Sequence, residues 1–200
     1  MKINKFYHYG FTGLIKLLFD FINTRLFYPN ARLVRRPIEI RGRRFIELSE
    51  GLTTGRFCRI EAQPETGKGV VLKIGKNVQM NDSVHITAMK NVQIGDNVLM
   101  ASKIYISDCS HGFYDGTDND SNPTMLAIER QYKTNGIMIC NNVWIGESVS
   151  ILPGVCIGEN AVIGANSLVN KDIPENCIAV GNPARVIKRY NFETKKWERT

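Results

Sequence analysis

The sequence of 200 residues predicts an all-β fold, a parallel β-helix of about five triangular coils, on three observations. Aliphatic residues recur at a period of six in the C-terminal half, namely Ile139, Ile145, Ile151, Ile157, Ile163 and Val169. Four residues after each of these runs a second apolar or small series, namely Val143, Val149, Val155, Ala161, Ser167 and Ile173. Glycine keeps a fixed phase at Gly146, Gly158 and Gly164. An α-helix or a simply alternating strand would not produce this pattern, whereas a coil with six residues per side does.

The leading aliphatic residues are expected to point into the column and to stack on their equivalents in coils about 4.8 Å away. The same phase continues upstream through Leu48, Thr54, Ile60, Ile74, Met80, Ile86, Ile94, Met100 and Ile106. The period breaks only after every third side, so the insertions are expected to share one edge, which in solenoids often carries the binding site. The longest insertion, an extruded loop over residues 107–136, is long enough to reach another subunit.

Residues 1–44 form a separate basic segment, residues 45–175 the β-helix domain, and residues 176–200 a C-terminal tail. An amphipathic helix is predicted in the first segment from apolar residues at helical spacing, namely Leu14, Leu17, Leu18 and Phe21. Thr12 is its candidate cap and Pro29 its stop. Charged residues interrupt the apolar run, which argues against a signal peptide and against a membrane-spanning helix.

Charge is concentrated in the N-terminal segment. The whole chain carries a net charge of +7, and the segment up to Arg44 holds ten Lys or Arg against Asp20 and Glu39. Such a segment could contact an anionic membrane surface or attract a phosphorylated substrate, or its helix could dock on the main body with solvated charges. No nucleic-acid-binding motif accompanies the charge, so nucleic acid is not an expected partner.

The five cysteines are odd in number and form no C-x-x-C pair, so they suggest neither a zinc cluster nor a complete disulfide framework. Reduced thiols in the cytoplasm are expected, with the inner face of the membrane as the alternative location.

Several strings in residues 139–189 closely resemble the hexapeptide-repeat acyltransferases, the group that contains the maltose, galactoside and serine acetyltransferases. The strings are Asn141 to Gly146 (NNVWIG), Ile151 to Val155 (ILPGV), Val162 to Ala165 (VIGA), Lys171 to Pro174 (KDIP) and Gly181 to Arg185 (GNPAR). Asp108 to Gly112 (DCSHG) and the tail Tyr190 to Trp197 look most like the branch that O-acetylates lipopolysaccharide or capsular sugars. The resemblance implies a left-handed β-helix, a homotrimer, and acetyl-CoA bound in a groove between subunits, without a metal.

The resemblance also implies roles for individual residues. His111, one of three histidines beside His8 and His85, matches the family's catalytic histidine and is the expected general base, which an alcohol nucleophile requires at neutral pH. The backbone N–H of Glu147 is the expected donor to the developing oxyanion. By the resemblance, Asn81 and Ser83 are expected to contact the acceptor, and Asp108 or a backbone carbonyl is expected to orient the imidazole. The loop departs from the maltose and galactoside pattern, and its Tyr114, Arg130 and acidic residues could bind sugar hydroxyls or remain solvated. The expected acetyl-CoA-binding residues are Trp144, Gly146, Ala165, Lys171, Arg185 and Lys188.

The expected reaction is direct transfer of the acetyl group to a saccharide hydroxyl, the acceptor being a surface polysaccharide, a lipopolysaccharide or a precursor, free or lipid-linked. Cys109 lies two residues from His111, yet a covalent route would need a positioned cysteine of lowered pKa. Three alternatives stay open: an acetyltransferase of small acceptors, a zinc-dependent carbonic anhydrase-like enzyme, and a non-catalytic trimeric scaffold. The zinc enzymes use three histidines, whereas the coils offer only His85 and His111.

Overall fold

The computed structural model describes residues 5–200, with side chains from residue 9 onward. Residues 1–4 of the predicted N-terminal segment and the side chain of His8 lie outside the described part. The chain opens with helix α1 (Lys5–Phe27), which is interrupted at Gly10, where φ is 62°. The helix ends two residues before Pro29, as predicted.

Three parallel sheets form the sides of a triangular column. Sheet A holds β1 (Leu33–Val34), β4 (Thr53–Thr54), β7 (Gln79–Met80), β10 (Leu99–Met100), β15 (Trp144–Ile145), β18 (Val162–Ile163) and β20 (Cys177–Gly181). Sheet B holds β2 (Ile38–Arg41), β5 (Cys58–Ala62), β8 (His85–Ala88), β11 (Tyr105–Ser107), β16 (Ser150–Ile151) and β19 (Leu168–Val169). Sheet C holds β3 (Ile46–Leu48), β6 (Leu72–Ile74), β9 (Val92–Ile94), β14 (Ile137–Ile139) and β17 (Cys156–Ile157).

Other short elements decorate the column. The hairpin of β12 (Cys109–His111) and β13 (Tyr132–Thr134) lies within the long insertion. The strands β21 (Ala184–Asn191) and β22 (Lys196–Arg199) extend sheet A with antiparallel pairing. Two turns of 3₁₀ helix cover Arg43–Phe45 and Ala127–Glu129.

The predicted inward series forms the core of the column. Ile139 pairs in register with Ile157, Ile145 with Ile163, and Ile151 with Val169, and all six are buried. The trailing series, Val143, Val149, Val155, Ala161, Ser167 and Ile173, is also buried. The predicted parallel β-helix is therefore confirmed.

The column begins earlier than expected. Val34 pairs with Thr54 and Ile40 with Ile60, so β1 and β2 already belong to sheets A and B. The predicted start of the β-helix at residue 45 is therefore too late, because the first coil carries short strands flanked by arginines rather than the clear period of six. Counting that coil, there are six rather than five, the last closing with the bridge between Ile157 and Ile173.

Asparagine shapes the corners more than glycine does. The corner residues Asn77, Asn97, Asn142, Asn160 and Asn176 adopt left-handed φ values of 54–58°, a conformation that asparagine tolerates better than most residues. Their side chains form a hydrogen-bonded ladder from coil to coil, with N···O distances of 2.9–3.4 Å. Gly146 serves a different purpose, since a Cβ there would lie 2.6 Å from the backbone nitrogen of Ala165 in the next coil.

The insertions share one edge, as predicted. Each follows a sheet B strand and precedes a sheet C strand: residues 63–71 between β5 and β6, 89–91 between β8 and β9, and 108–136 between β11 and β14. We call this the BC edge. The AB edge is the corner between a sheet A strand and the sheet B strand that follows it.

Helix α1 docks on the first coil through polar residues. The buried Asp20 accepts hydrogen bonds from the backbone N–H of Arg36 at 3.0 Å and from Arg56 Nη2 at 2.6 Å. The buried Thr24 hydroxyl accepts a hydrogen bond from the N–H of Val34 at 2.9 Å. Among the described residues, no helix is long and apolar enough to cross a membrane.

Candidate functional site

His111 lies at the end of β12, on the hairpin that projects from the BC edge. The backbone of His111 pairs with that of Tyr132 across the hairpin, and the two ring centroids are 4.5 Å apart with an interplanar angle of 46°. The imidazole is exposed, so it can meet a second reactant. A general base needs this access.

The imidazole borders a cavity of about 610 Å³ between the hairpin and sheet B. Its side-chain lining includes Arg41, Phe45, Arg59, Glu61, His85, Thr87, Met89, Tyr105, Ser107, Cys109, His111 and Tyr132. A cleft of this size with aromatic walls and a few charged groups is typical of a small-molecule site. We call it the His111 cavity.

Tyr114 and Arg130, which are expected to bind the acceptor, form hydrogen bonds within the long loop. The Tyr114 hydroxyl donates to the carbonyl of His111 and accepts from Arg130 Nη1 at 2.8 Å. Arg130 Nη2 also donates to the carbonyls of Pro123 and Met125 at 3.0 and 2.8 Å. Neither residue lines the His111 cavity. Their polar groups thus hold the backbone around His111, and their role in binding the acceptor stays a prediction.

The carboxylate of Asp108 is occupied by backbone hydrogen bonds. Its side chain is buried, and its carboxylate accepts three backbone hydrogen bonds at 2.8 Å each, from Met89, Lys90 and Asn91. A carboxylate so occupied can neither bind an acceptor nor orient the imidazole. It fixes the start of the long loop to the neighbouring coil.

Two acidic residues of the long loop, Asp115 and Asp120, also have partners within it. The Asp115 carboxylate forms an ion pair with Lys133. Asp120 accepts the backbone N–H groups of Asp115 and Gly116 at 2.8 and 2.9 Å, and these bonds lower its pKa. Both carboxylates therefore stabilise the loop conformation.

Two groups in the His111 cavity have shifted pKa values. Partial burial raises the pKa of the Cys109 thiol, and the nearby Asp108 carboxylate adds to the effect. Burial also opposes charge on Glu61, but hydrogen bonds from Arg59 and His85 and the charges of Arg59 and Arg41 together lower its pKa. At neutral pH Cys109 is thus a thiol and Glu61 a carboxylate.

The remaining expected residues lie elsewhere on the column. Asn81 and Ser83 follow β7 at the AB edge, and Asn81 lines a separate cavity of about 470 Å³ below α1. Gly146 and Glu147 occupy the AB edge two coils higher, and Ala165 stacks on Gly146. The carbonyl of Glu147 accepts the N–H of Asn166 at 2.8 Å, which fixes its peptide group at that corner.

The predicted acetyl-CoA-binding cations do not form one cluster in the chain. Lys171 is exposed at the BC edge, whereas Arg185 and Lys188 lie on β21, which extends sheet A. Trp144 is 53% exposed on sheet A, in register between Leu99 and Val162. None of these four residues lines the His111 cavity.

The expected base and several of the expected acetyl-CoA and acceptor residues therefore sit on two different edges of one chain. His111 is at the BC edge, while Asn81, Gly146, Glu147 and Ala165 are at the AB edge. A further cavity, about 770 Å³ along sheet C, brings neither set together and is rich in carboxylates, such as Asp96, Glu159 and Asp172. Within the described residues, no group of three or more His, Cys, Asp or Glu side chains is placed to hold a metal ion.

Several residues of the His111 cavity were not expected from the sequence. Glu61 and Tyr105 flank the inward residues of sheet B strands and so face outward, which the alternation of those strands could have revealed. His85 precedes the inward Ile86 on the neighbouring sheet B strand and lines the same cavity. No sequence pattern indicated that Tyr132 lies in this cavity, because its position depends on the pairing of β13 with β12 in the long loop.

Comparison with known proteins connects this architecture to a family. The family model described as bacterial transferase hexapeptide (six repeats) matches residues 136–171. Over 191 residues the chain is 42% identical to WbbJ of Escherichia coli K12, described as a candidate lipopolysaccharide biosynthesis O-acetyl transferase, covering 96% of this chain and 95% of WbbJ.

Solved structures agree. A galactoside acetyltransferase in complex with coenzyme A is 36% identical, with a TM-score of 0.52 over 74% of this chain and 70% of that one. An N-acyltransferase from Bacillus cereus, AntD, is only 20% identical but shares the fold, with a TM-score of 0.66 over 82% of this chain and 84% of that one. These neighbours confirm the left-handed β-helix. With near-complete coverage by a relative of this identity, the chain belongs to the hexapeptide-repeat acetyltransferases.

Proposed function

We propose that this enzyme transfers the acetyl group of acetyl-CoA to a hydroxyl of a saccharide used in lipopolysaccharide or surface-polysaccharide synthesis. The observation that carries the proposal is the exposed imidazole of His111, which contacts the Tyr132 ring and borders a cavity with aromatic and charged walls, while Tyr114 holds the backbone carbonyl of the same residue. The likeness to WbbJ along 96% of the chain supports the acceptor class. The galactoside acetyltransferase bound to coenzyme A supports the donor.

In this reaction His111 accepts the hydroxyl proton while the sugar oxygen attacks the thioester carbonyl. The tetrahedral intermediate carries its negative charge on the former carbonyl oxygen, where the backbone N–H of Glu147 would stabilise it. Collapse releases the CoA thiolate, to which His111 returns the proton, giving an ester and CoA–SH. Cys109 takes no part, because its raised pKa keeps it a poor nucleophile.

The division of the site between two edges supports a homotrimer. If the AB edge of one copy faces the BC edge of the next, Asn81, Gly146, Glu147 and Ala165 of the first meet His111 of the second. Such a contact joins two different surface patches, and threefold rotation closes it into a ring with three equivalent sites. The exposed Trp144 and Lys171 would then flank the groove.

The test uses purified protein, labelled acetyl-CoA and saccharides from the producing cell's own surface polysaccharide after chemical deacetylation. We expect label to enter alkali-labile esters, and His111→Ala to lower turnover about 10²- to 10⁴-fold, the usual contribution of a general base. Asn119→Ala, an exposed change in the same loop, serves as the control. Near-native turnover in a folded His111→Ala protein would exclude the mechanism.

The same chemistry could serve a small free sugar. The galactoside acetyltransferase relative favours that alternative, since its name gives a galactoside as acceptor. Comparing free monosaccharides with polysaccharide fragments in the assay separates the two acceptor classes.

The cytoplasmic face of an anionic membrane is the proposed location, and α1 provides the contact. Its outward stripe repeats at helical spacing and consists of exposed apolar side chains, Phe11, Ile15, Leu18, Phe19, Ile22 and Leu26. The body-facing side carries the buried Asp20 and Thr24. Leu14 and Leu17 are half-buried toward the column, but most of the apolar surface of the helix faces away from it, where a helix that docks by a single apolar stripe would be polar. The basic charge of the segment complements anionic lipid.

Vesicle co-sedimentation tests this contact. We expect binding to vesicles containing phosphatidylglycerol, weaker binding to pure phosphatidylcholine, and loss of binding in the Leu18→Ser/Ile22→Ser variant. Ile128→Ser, an 84% exposed residue on the loop, is the matched control. A variant that changes the oligomeric state but not vesicle binding would show that another copy covers the stripe instead.

A further inference from the structure

Sheet B presents side chains to the His111 cavity that the acetyl-transfer chemistry does not use. Their positions follow from strand alternation around the buried Ile60, Ile86 and Ile106. Arg59, His85 and Tyr105 stand in register in three successive coils, so they form a straight row along the column. At about 4.8 Å per strand the row spans about 10 Å. All three line the His111 cavity.

Glu61 holds two members of this row. Its carboxylate accepts hydrogen bonds from Arg59 Nη2 at 2.8–2.9 Å and from Arg41 Nη1 at 2.7 Å, and its side chain is only 15% exposed. His85 Nε2 lies 3.3 Å from Glu61 Oε2 and 3.1 Å from Thr87 Oγ1. The guanidinium of Arg59 and the imidazole of His85 are therefore fixed relative to each other.

Tyr105 completes the row with an aromatic wall. Its ring meets the His85 ring edge to face, with centroids 5.4 Å apart, and the residue is 39% exposed. A guanidinium carries five N–H donors, and an imidazole and a phenol add donor and acceptor groups beside apolar ring faces. Paired charges, directional hydrogen bonds and a flat aromatic face together suit a neutral polyhydroxylated ring better than a free ion.

We propose that Arg59, His85 and Tyr105 form a subsite for sugar residues of the acceptor beyond the one that is acetylated, with Glu61 as the residue that positions them. This proposal rests on the proposed function. The row extends from the coil beside the His111 hairpin toward the first coil, so it binds a chain longer than one ring. The preferred acceptor is accordingly an oligosaccharide rather than a free monosaccharide.

The experiment measures kcat and KM with mono-, di- and trisaccharides prepared by partial hydrolysis of the deacetylated surface polysaccharide. We expect the wild type to show a KM for the trisaccharide at least tenfold below that for the monosaccharide. His85→Ala and Tyr105→Ala should erase this difference, while kcat and the KM for acetyl-CoA stay within about twofold. A contact with distant sugar residues is equally strong in the bound substrate and in the transition state, so its loss raises KM and leaves kcat unchanged. Glu61→Gln should give an intermediate loss through misplacement of Arg59 and His85.

Glu47→Gln is the matched control, since Glu47 also points outward from a strand and pairs with a cation, Lys73 at 3.8 Å, but on sheet C. Equal KM values for all chain lengths in an active wild type, or His85→Ala kinetics identical to the wild type, would overturn the subsite and leave the proposed function standing. Dissociation of the oligomer by His85→Ala would also overturn it, by showing that the row is a subunit contact. No transfer by the wild type to any fragment would instead count against the proposed function.

Discussion

Tyr132 lies directly across the hairpin from His111, and the two rings are in contact with centroids 4.5 Å apart. The phenol ring limits the rotation of an otherwise exposed imidazole, and a preorganised base is worth more than a mobile one. We therefore expect Tyr132→Ala to lower kcat about tenfold with little change in the KM for acetyl-CoA. Tyr132→Phe keeps the ring and should keep turnover. Steady-state kinetics of both variants decide the point, and an unimpaired Tyr132→Ala enzyme would refute the positioning role.

The hydrogen bonds of the buried Asp108 carboxylate are expected to stabilise the folded protein. In Asp108→Asn, one carboxylate oxygen becomes an NH2 group, so either the N–H of Met89 or the N–H groups of Lys90 and Asn91 lose their acceptor. Leaving a buried donor unsatisfied costs about 1–3 kcal/mol, so the free energy of unfolding should fall by about that amount. Denaturant titration measures it, with the exposed Asp118→Asn as control. Equal stability of the two variants would show that the three hydrogen bonds are dispensable.

Cys109 distinguishes direct from covalent transfer. Burial raises the pKa of its thiol, so the thiolate fraction at pH 7 is below that of a free cysteine and grows as the pH rises through the alkaline range. Alkylation of Cys109, followed by mass spectrometry of its peptide, should be slow at pH 7 and faster at higher pH. Cys109→Ser should retain turnover. An acetylated Cys109 trapped during turnover, with loss of activity in Cys109→Ser, would establish the covalent route.

Much of the column could be predicted because its physics is periodic. The aliphatic repeat of six from Ile139 to Val169 predicts the stacked core. The breaks in this repeat after Ile60, Ile86 and Ile106 place the insertions on one edge. The first coil was not predicted, because its inward residues Val34 and Ile40 lie in a stretch that is otherwise rich in arginine and shows no period of six.

The site could be predicted only in part. A resemblance in sequence shows which residue occupies a family position, as it did for His111. It does not show which hydrogen-bond partners each side chain has in the folded loop. Asp108, Tyr114 and Arg130 are polar loop residues that would suit a ligand, yet they satisfy backbone groups that the folded loop would otherwise leave unpaired. Such local pairing depends on loop geometry, which no periodic pattern encodes.

The central claim is that His111 of one copy works with the AB edge of the next, and mixed oligomers test it most directly. His111→Ala and Asn81→Ala proteins would be purified separately, then unfolded and refolded together. In a ring of three, random mixing leaves one intact pairing in each mixed trimer, about one quarter of the wild-type sites. Each variant alone should be nearly inactive, and the mixture should recover roughly that fraction of wild-type turnover. A mixture no more active than the two variants measured separately would contradict a site shared between copies.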